Sequence, residues 1–206
     1  MIHRLLLAAC GVVAYASALH AQDQTLVRGN TSFGGFGGPT VAVGSILGET
    51  GVFVGGRGAF LIGRRFAIGG AGVGLSSEVP VARALSSRRY DLEFGYGGVT
   101  LEAITQPSKL VHVTGLVLIG GGAANARVRD RDRIGFQPPI GFPDDDPDVV
   151  TVIEPELAIE LNVTNWMRIA LGGSYRFVSG TDADYLFTNS GLSGGTGKLT
   201  FKFGAF

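Results

Sequence analysis

Cysteine, histidine, charge and long apolar runs are all scarce in this sequence, and each scarcity excludes something. The one cysteine is Cys10, and the three histidines are His3, His20 and His112. A lone cysteine closes no disulfide within the chain and makes no thiolate metal cluster. Charged residues are 17% of the chain, low for a soluble enzyme, while apolar residues at 45% and a mean hydropathy of +0.29 are too high for a disordered one. Beyond the N-terminus no stretch approaches the ~18–20 uninterrupted apolar residues of a membrane helix. Basic and acidic residues number 17 each, so net charge gives no reason to expect a nucleic-acid partner.

What is abundant is glycine. The 34 glycines, about one residue in six, argue against a helical protein, because each weakens a helix interior by roughly 0.8–1 kcal/mol. An apolar chain with little charge and no spanning helix fits a membrane protein made of strands. Only a closed β-barrel satisfies every backbone hydrogen bond of strands in lipid.

The first residues read as a secretory signal: a cationic start (Met1-Ile2-His3-Arg4), a short apolar core, then small residues around Ala16-Ser17-Ala18 and Ala21. Cleavage after Ala21 is expected, with Ala18 as the alternative. The mature chain would then hold no cysteine and a single histidine, His112, with basic and acidic residues within one of each other.

After a Gly-rich lead-in over 22–37, alternating apolar and polar residues recur between turn signals. The alternation predicts strands at about 38–47, 50–62, 66–76, 90–104, 109–123, 149–163, 166–178 and 196–206. The second, fourth and sixth connections are short: Gly63-Arg64-Arg65, Thr105 to Ser108, and Thr164-Asn165. The third, fifth and seventh, about 77–89, 124–148 and 179–195, are long and polar. The first, near Gly48-Glu49, is a short exception. Tight turns at one end and long loops at the other are the habit of transmembrane barrels, and a soluble sandwich has no reason to sort its loops so.

Facing supports the same reading. Met167, Ile169, Leu171, Tyr175 and Phe177 share one face of their strand, and Arg168, Ser174 and Arg176 the other. Ile153, Leu157, Ile159 and Leu161 oppose Glu154, Glu156 and Glu160, while Leu199, Phe201 and Phe203 oppose Lys198 and Lys202. In the fourth strand Leu92, Phe94 and Tyr96 join Val99 and Leu101 only if a bulge at Gly97-Gly98 shifts the phase. The first, third and fifth strands are too rich in Gly, Ala and Val to orient. From Trp166 to Phe177 the chain covers roughly 36 Å at ~3.3 Å per residue, or roughly 25 Å of height when tilted by about 45°. Trp166 and the Tyr175/Phe177 pair would then sit at opposite membrane interfaces.

A signal segment, eight amphipathic strands, short turns, long loops and a terminal Phe206 together resemble the small outer-membrane β-barrels of Gram-negative bacteria, the OmpX and OmpA-barrel type. The resemblance implies an all-β fold: a transmembrane antiparallel up-and-down barrel of eight strands over 38–206, following a signal peptide (1–21) and the lead-in (22–37). It implies a monomer in the cell outer membrane with its short turns in the periplasm, surrounded by outer-membrane lipids and lipopolysaccharide. Phe206 would be part of the signal read by the barrel-assembly machinery. It is out of phase with Leu199, Phe201 and Phe203, so a slip near Gly204-Ala205 is expected, or else a nonstandard signal.

The interior of an eight-stranded barrel is just wide enough for side chains to fill. The facing puts Glu93, Glu102, Glu154, Glu156 and Glu160 inside against Arg57, Arg168, Arg176, Lys198 and Lys202, a balanced set. Glu154 is expected opposite or diagonal to Arg176, and Glu160 near Arg168. Unpaired burial would cost several kcal/mol per charge, so a paired plug is the plain expectation and a substrate or ion path the alternative. In the fifth loop Arg127, Arg129, Arg131 and Arg133 alternate with aspartates. Those arginines could meet lipopolysaccharide phosphates, although a self-neutralising solvated ribbon is the plainer reading. Asp144 to Asp148 could hold a divalent cation loosely, against a plainer reading as a solvated acidic loop. Gly69 to Gly74 brushes a dinucleotide-binding pattern but lacks the helix and acidic residue that should follow. His112 falls at the periplasmic end, on the wrong side for chemistry on outer-leaflet lipid. The expected role is therefore structural, surface-interacting or adhesion-like, without enzymatic activity, cofactor or metal. A small channel or apolar-solute transporter is the alternative, and a lipid-modifying enzyme comes behind it.

Overall fold

A strand whose side chains alternate apolar and polar can bury only one face, and in this chain the apolar face is the one left outside. The structure is a computed structural model that describes residues 33–81, 90–128, 148–181 and 187–206. The expected signal segment, most of the lead-in, Arg129, Arg131, Arg133 and the acidic stretch 144–147 lie outside the described residues.

The strands are β1 (Phe33–Ile46), β2 (Glu49–Ile62), β3 (Phe66–Leu75), β4 (Pro80–Val81), β5 (Tyr90–Ile104), β6 (Val111–Val128), β7 (Asp148–Asn162), β8 (Met167–Ser179) and β9 (Gly194–Ala205). They form one antiparallel sheet, and all but the two-residue β4 close a ring of eight. Closure comes from β9 pairing back onto β1 (Val41 opposite Leu199) and β3 pairing with β5 (Ile68 opposite Leu101). β1 starts at Phe33, inside the stretch expected as lead-in. β4 and a short helix, Asn189–Leu192, fall in loops where no element was expected.

Turns 63–65, 105–110 and 163–166 lie at one end with Phe206, and the turn 47–48 and the helix-bearing residues 187–193 lie at the other. Leu47 and Gly48 (φ 52° and 80°) and Gly63 and Arg64 (φ 60° and 61°) are left-handed, as the tightest hairpin turns demand. Pro39 and Pro155 sit within strands, and the ladders from β1 to β9 and from β7 to β8 each miss two pairings at that place. Proline has no N–H to contribute there.

The outer wall is apolar: Val54, Leu101, Leu157, Ile159, Leu171 and Phe177 are all exposed. A belt of this kind suits lipid and would drive aggregation in water. It also orients the strands whose facing the sequence left open. β1 shows Val41 and Val43 outward, β3 Phe66 and Ile68, and β6 Val111, Val113 and Ile119.

The bulge expected at Gly97-Gly98 is absent. Pairing of β5 with β6 runs unbroken from Tyr90 opposite Val128 to Ile104 opposite Thr114. Leu92, Phe94 and Tyr96 are therefore buried inside, in phase with Thr100 and Glu102, and Glu93 points outward. The glycines do a different job at this place. Gly98 and Gly120 face each other across the two strands, and a Cβ on either would run into the other strand's backbone. Bare backbone lets the wall curve tightly there.

Inside the barrel there are three tiers. At the loop end an apolar cluster gathers Phe53, Leu92, Phe94, Val152, Val178 and Leu192, with others. The middle is charged. At the turn end a second apolar cluster joins Phe36, Leu61, Ala67 and Ile104, with Phe206 packed on it.

Candidate functional site: the charged interior

Every second residue of β7 points into the barrel, which sends Glu154, Glu156 and Glu160 inward along one strand. β8 adds Arg168 and Arg176, β9 adds Lys198 and Lys202, β2 adds Arg57 and β5 adds Glu102, all buried. Closing the ring joins them into a ladder of alternating sign. Arg168 Nη1 lies 3.0 Å from Glu160 Oε1. Lys202 Nζ bridges Glu160 Oε2 and Glu102 Oε1, the latter at 2.6 Å. Arg57 reaches Glu102 at 3.9 Å with Nη2 and Glu156 at 3.3 Å with Nη1. Lys198 continues from Glu156 (3.3 Å) to Glu154 (2.9 Å). Glu154 then accepts hydrogen bonds from the Ser174 hydroxyl at 2.7 Å and the Tyr96 hydroxyl at 2.9 Å. Each of these four carboxylates thus has a cation within 3.3 Å, the condition under which buried charge is tolerated.

Three expectations are corrected here. Glu93 is exposed on the outer wall and takes no place in the ladder, because β5 keeps its period of two through the glycine pair. Among the described residues the buried charges are therefore five cations against four carboxylates, without the expected balance. Glu154 stands opposite Arg176 in the β7–β8 register, as expected, but the two form no ion pair. Arg176 Nε donates to Leu192 O at 2.8 Å and its Nη2 to Ser45 O at 3.1 Å. Its guanidinium lies 4.9 Å above the Phe53 ring centre and 5.3 Å from that of Phe94. The cation without a carboxylate is held by carbonyl oxygens and by the negative faces of aromatic rings. Phe206 needs no slip, since β9 pairs in unbroken phase to Ala205 opposite Gly35. Its even-numbered position turns it inward, where it stacks on Phe36 with ring centres 6.0 Å apart and lies under the Arg168 guanidinium at 3.9 Å.

His112 belongs to the ladder although its strand gave no facing signal. It is buried near the turn end, with Nε2 3.4 Å from Glu160 Oε1 and Nδ1 3.3 Å from Lys109 O. Only its even-numbered place on β6 could have marked it, and the small residues of that strand provide no contrast. Arg127 lies next to the end of β6, opposite Asp91, and the other three arginines of the run lie outside the described residues.

Both ends of the ladder are stopped. Phe206 and its cluster cover the turn end. At the loop end the helix Asn189–Leu192, capped by the Thr188 hydroxyl accepting from Gly191 N at 3.0 Å, buries Leu192 completely. Leu47 N donates to Gly191 O at 2.7 Å and ties the helix to the first turn. A cavity of about 20 Å³ within the middle tier is lined by Arg57, Glu154, Glu156, Lys198, Thr40 and Thr200. That is room for about one water molecule.

No family model and no curated protein matches the sequence. Solved structures do resemble the fold. Neisserial surface protein A (NspA) superposes with a TM-score of 0.54 at 13% identity, covering 86% of this chain and 99% of that one. Ail, the attachment invasion locus protein of Yersinia pestis, follows at 0.43, 15% identity and coverage of 84% and 97%. The outer membrane protein OprG of Pseudomonas aeruginosa follows at 0.49, 10% identity and coverage of 84% and 94%. The chain has the fold of the small eight-stranded outer-membrane β-barrels.

Proposed function

We propose that this protein is an outer-membrane barrel with a closed interior, serving a structural, surface-interacting or adhesion-like role without conducting solutes or catalysing a reaction. The observation that carries this reading is the unbroken alternation of Arg168, Glu160, Lys202, Glu102, Arg57, Glu156, Lys198 and Glu154. It leaves the middle tier room for about one water, and apolar clusters lie above and below it. An ion entering the barrel would have to displace a cation or a carboxylate from its partner, against an interaction worth several kcal/mol. His112, facing Glu160 inside the wall, is not presented to lipid, which weighs against lipid chemistry at that residue.

Conductance in planar bilayers tests the reading. The refolded barrel is expected to leave the baseline current unchanged. Reproducible unitary steps would overturn the closed interior and favour a small channel instead.

A further inference from the structure

The outer wall carries a recessed groove of about 1030 Å³ that begins at the turn end and rises toward the middle of the barrel. Its course follows the strand register. Phe66 lies opposite Ala103, Ala103 opposite Gly115, Gly115 opposite Leu157, and Leu157 opposite Gly173. Phe66 opens β3 directly after the turn and Ala103 is next to the end of β5, whereas Gly173 lies well up β8. Strand by strand this row climbs away from the rim, over roughly 19 Å for four strand spacings of ~4.8 Å. Ala103, Gly115 and Gly173 keep its floor low, Ile68, Leu101 and Tyr175 stand beside it, and the exposed Leu157 side chain lies in the row itself.

The rim where the groove begins is basic. Arg64 and Arg65 form the turn before Phe66, and Ile104 N donates to Arg65 O at 2.7 Å, which draws that turn against the end of β5. Lys109 lies in the turn that leaves β5. All three side chains are exposed, and the turns 63–65, 105–110 and 163–166 contain no Asp or Glu. The described acidic residues of the loop half, among them Glu49, Glu78, Asp91 and Asp148, lie at the opposite end. Trp166, exposed on the same turn rim, suits the depth of lipid headgroups.

We propose that this groove and its basic rim form a site for one anionic glycerophospholipid of the periplasmic leaflet. An acyl chain lies along the row from Phe66 to Gly173, and the phosphate meets Arg64, Arg65 and Lys109. Guanidinium groups suit a phosphate, and basic residues beside a membrane surface favour anionic headgroups. The site rests on the reading of the chain as an outer-membrane barrel with its short turns in the periplasm.

The test is lipid retention by native mass spectrometry after release from bilayers of equimolar phosphatidylethanolamine and phosphatidylglycerol. The parent is expected to retain one phosphatidylglycerol in preference to phosphatidylethanolamine by at least about tenfold. The variant Arg64→Gln/Arg65→Gln/Lys109→Gln should lose that preference. Gly115→Phe should lose the lipid itself. A Cβ at Gly115 meets only Leu157 Cδ2 at 3.7 Å, so the barrel can still close around that substitution. Equal retention of the two lipids by the parent, unchanged preference in the triple variant, or displacement of phosphatidylglycerol by added lipopolysaccharide would each overturn the site. Heat-modifiable gel migration of the same samples reports the barrel separately. Its absence in the parent would sink the barrel reading, and its presence without lipid preference would sink the site alone.

Discussion

Lys202 is the centre of the charged ladder, and replacing it with methionine isolates what the ladder contributes. Its Nζ is fully buried and serves two carboxylates at once, Glu102 at 2.6 Å and Glu160 beside it. Lys202→Met keeps the stem and removes the charge. Glu160 retains Arg168 at 3.0 Å, but Glu102 is left with only the Arg57 guanidinium at 3.9 Å. Removing one partner of a buried pair costs about 3–5 kcal/mol, because the other charge stays buried. With an unfolding slope of about 2 kcal/mol/M in urea, the midpoint should fall by about 2 M. The chain has a single tryptophan, Trp166, stacked on Phe203 at 6.1 Å at the turn end, so its fluorescence in detergent micelles reports the loss of the barrel. Adding Glu102→Gln to Lys202→Met should recover a large part of the loss, since the stranded charge is then gone. An unchanged midpoint for the single variant would refute the ladder as a stabilising network. So would a double variant as unstable as the sum of its singles.

Arg176→Met tests the loop-end closure. It strands Leu192 O and Ser45 O and removes the cation from above the Phe53 and Phe94 rings, so the urea midpoint should drop by about 1–3 kcal/mol in equivalent stability. A midpoint equal to the parent's would show that the helix Asn189–Leu192 is held without help from Arg176. Gly120→Val should prevent closure, because its Cβ would meet the backbone of Gly97 and Gly98. Gly74→Ala has nothing within 4 Å and should fold normally. Heat-modifiable migration of both variants would contradict the tight wall at β5 and β6.

The clean alternation of β7, β8 and the final strand shows why so much of the architecture was readable. One face must meet lipid and the other must not, so a period of two marks strand, phase and span together. Loop lengths identified the two ends, because hairpin turns and long loops sort across a membrane. Phase failed only where side chains failed to report it. Gly97-Gly98 left β5 free to be read with a bulge, and that placed Glu93 inside. The inward facing of His112 went unread for the same reason, on a strand rich in Gly, Ala, Val and Leu.

From its own residues, then, the sequence determined the strands, the two ends and the facing of the cleanly alternating strands, since these follow from local periodicity and composition. Only the tertiary structure decided the partners. Lys202 finds Glu102 a hundred positions away, Arg57 finds Glu156, and Phe206 finds Phe36. Arg176 passes over Glu154 for two carbonyls and a set of rings. Such neighbours depend on how β9 closes against β1 and β3 against β5. The register of a closed ring is a property of all eight strands at once, which no single strand carries.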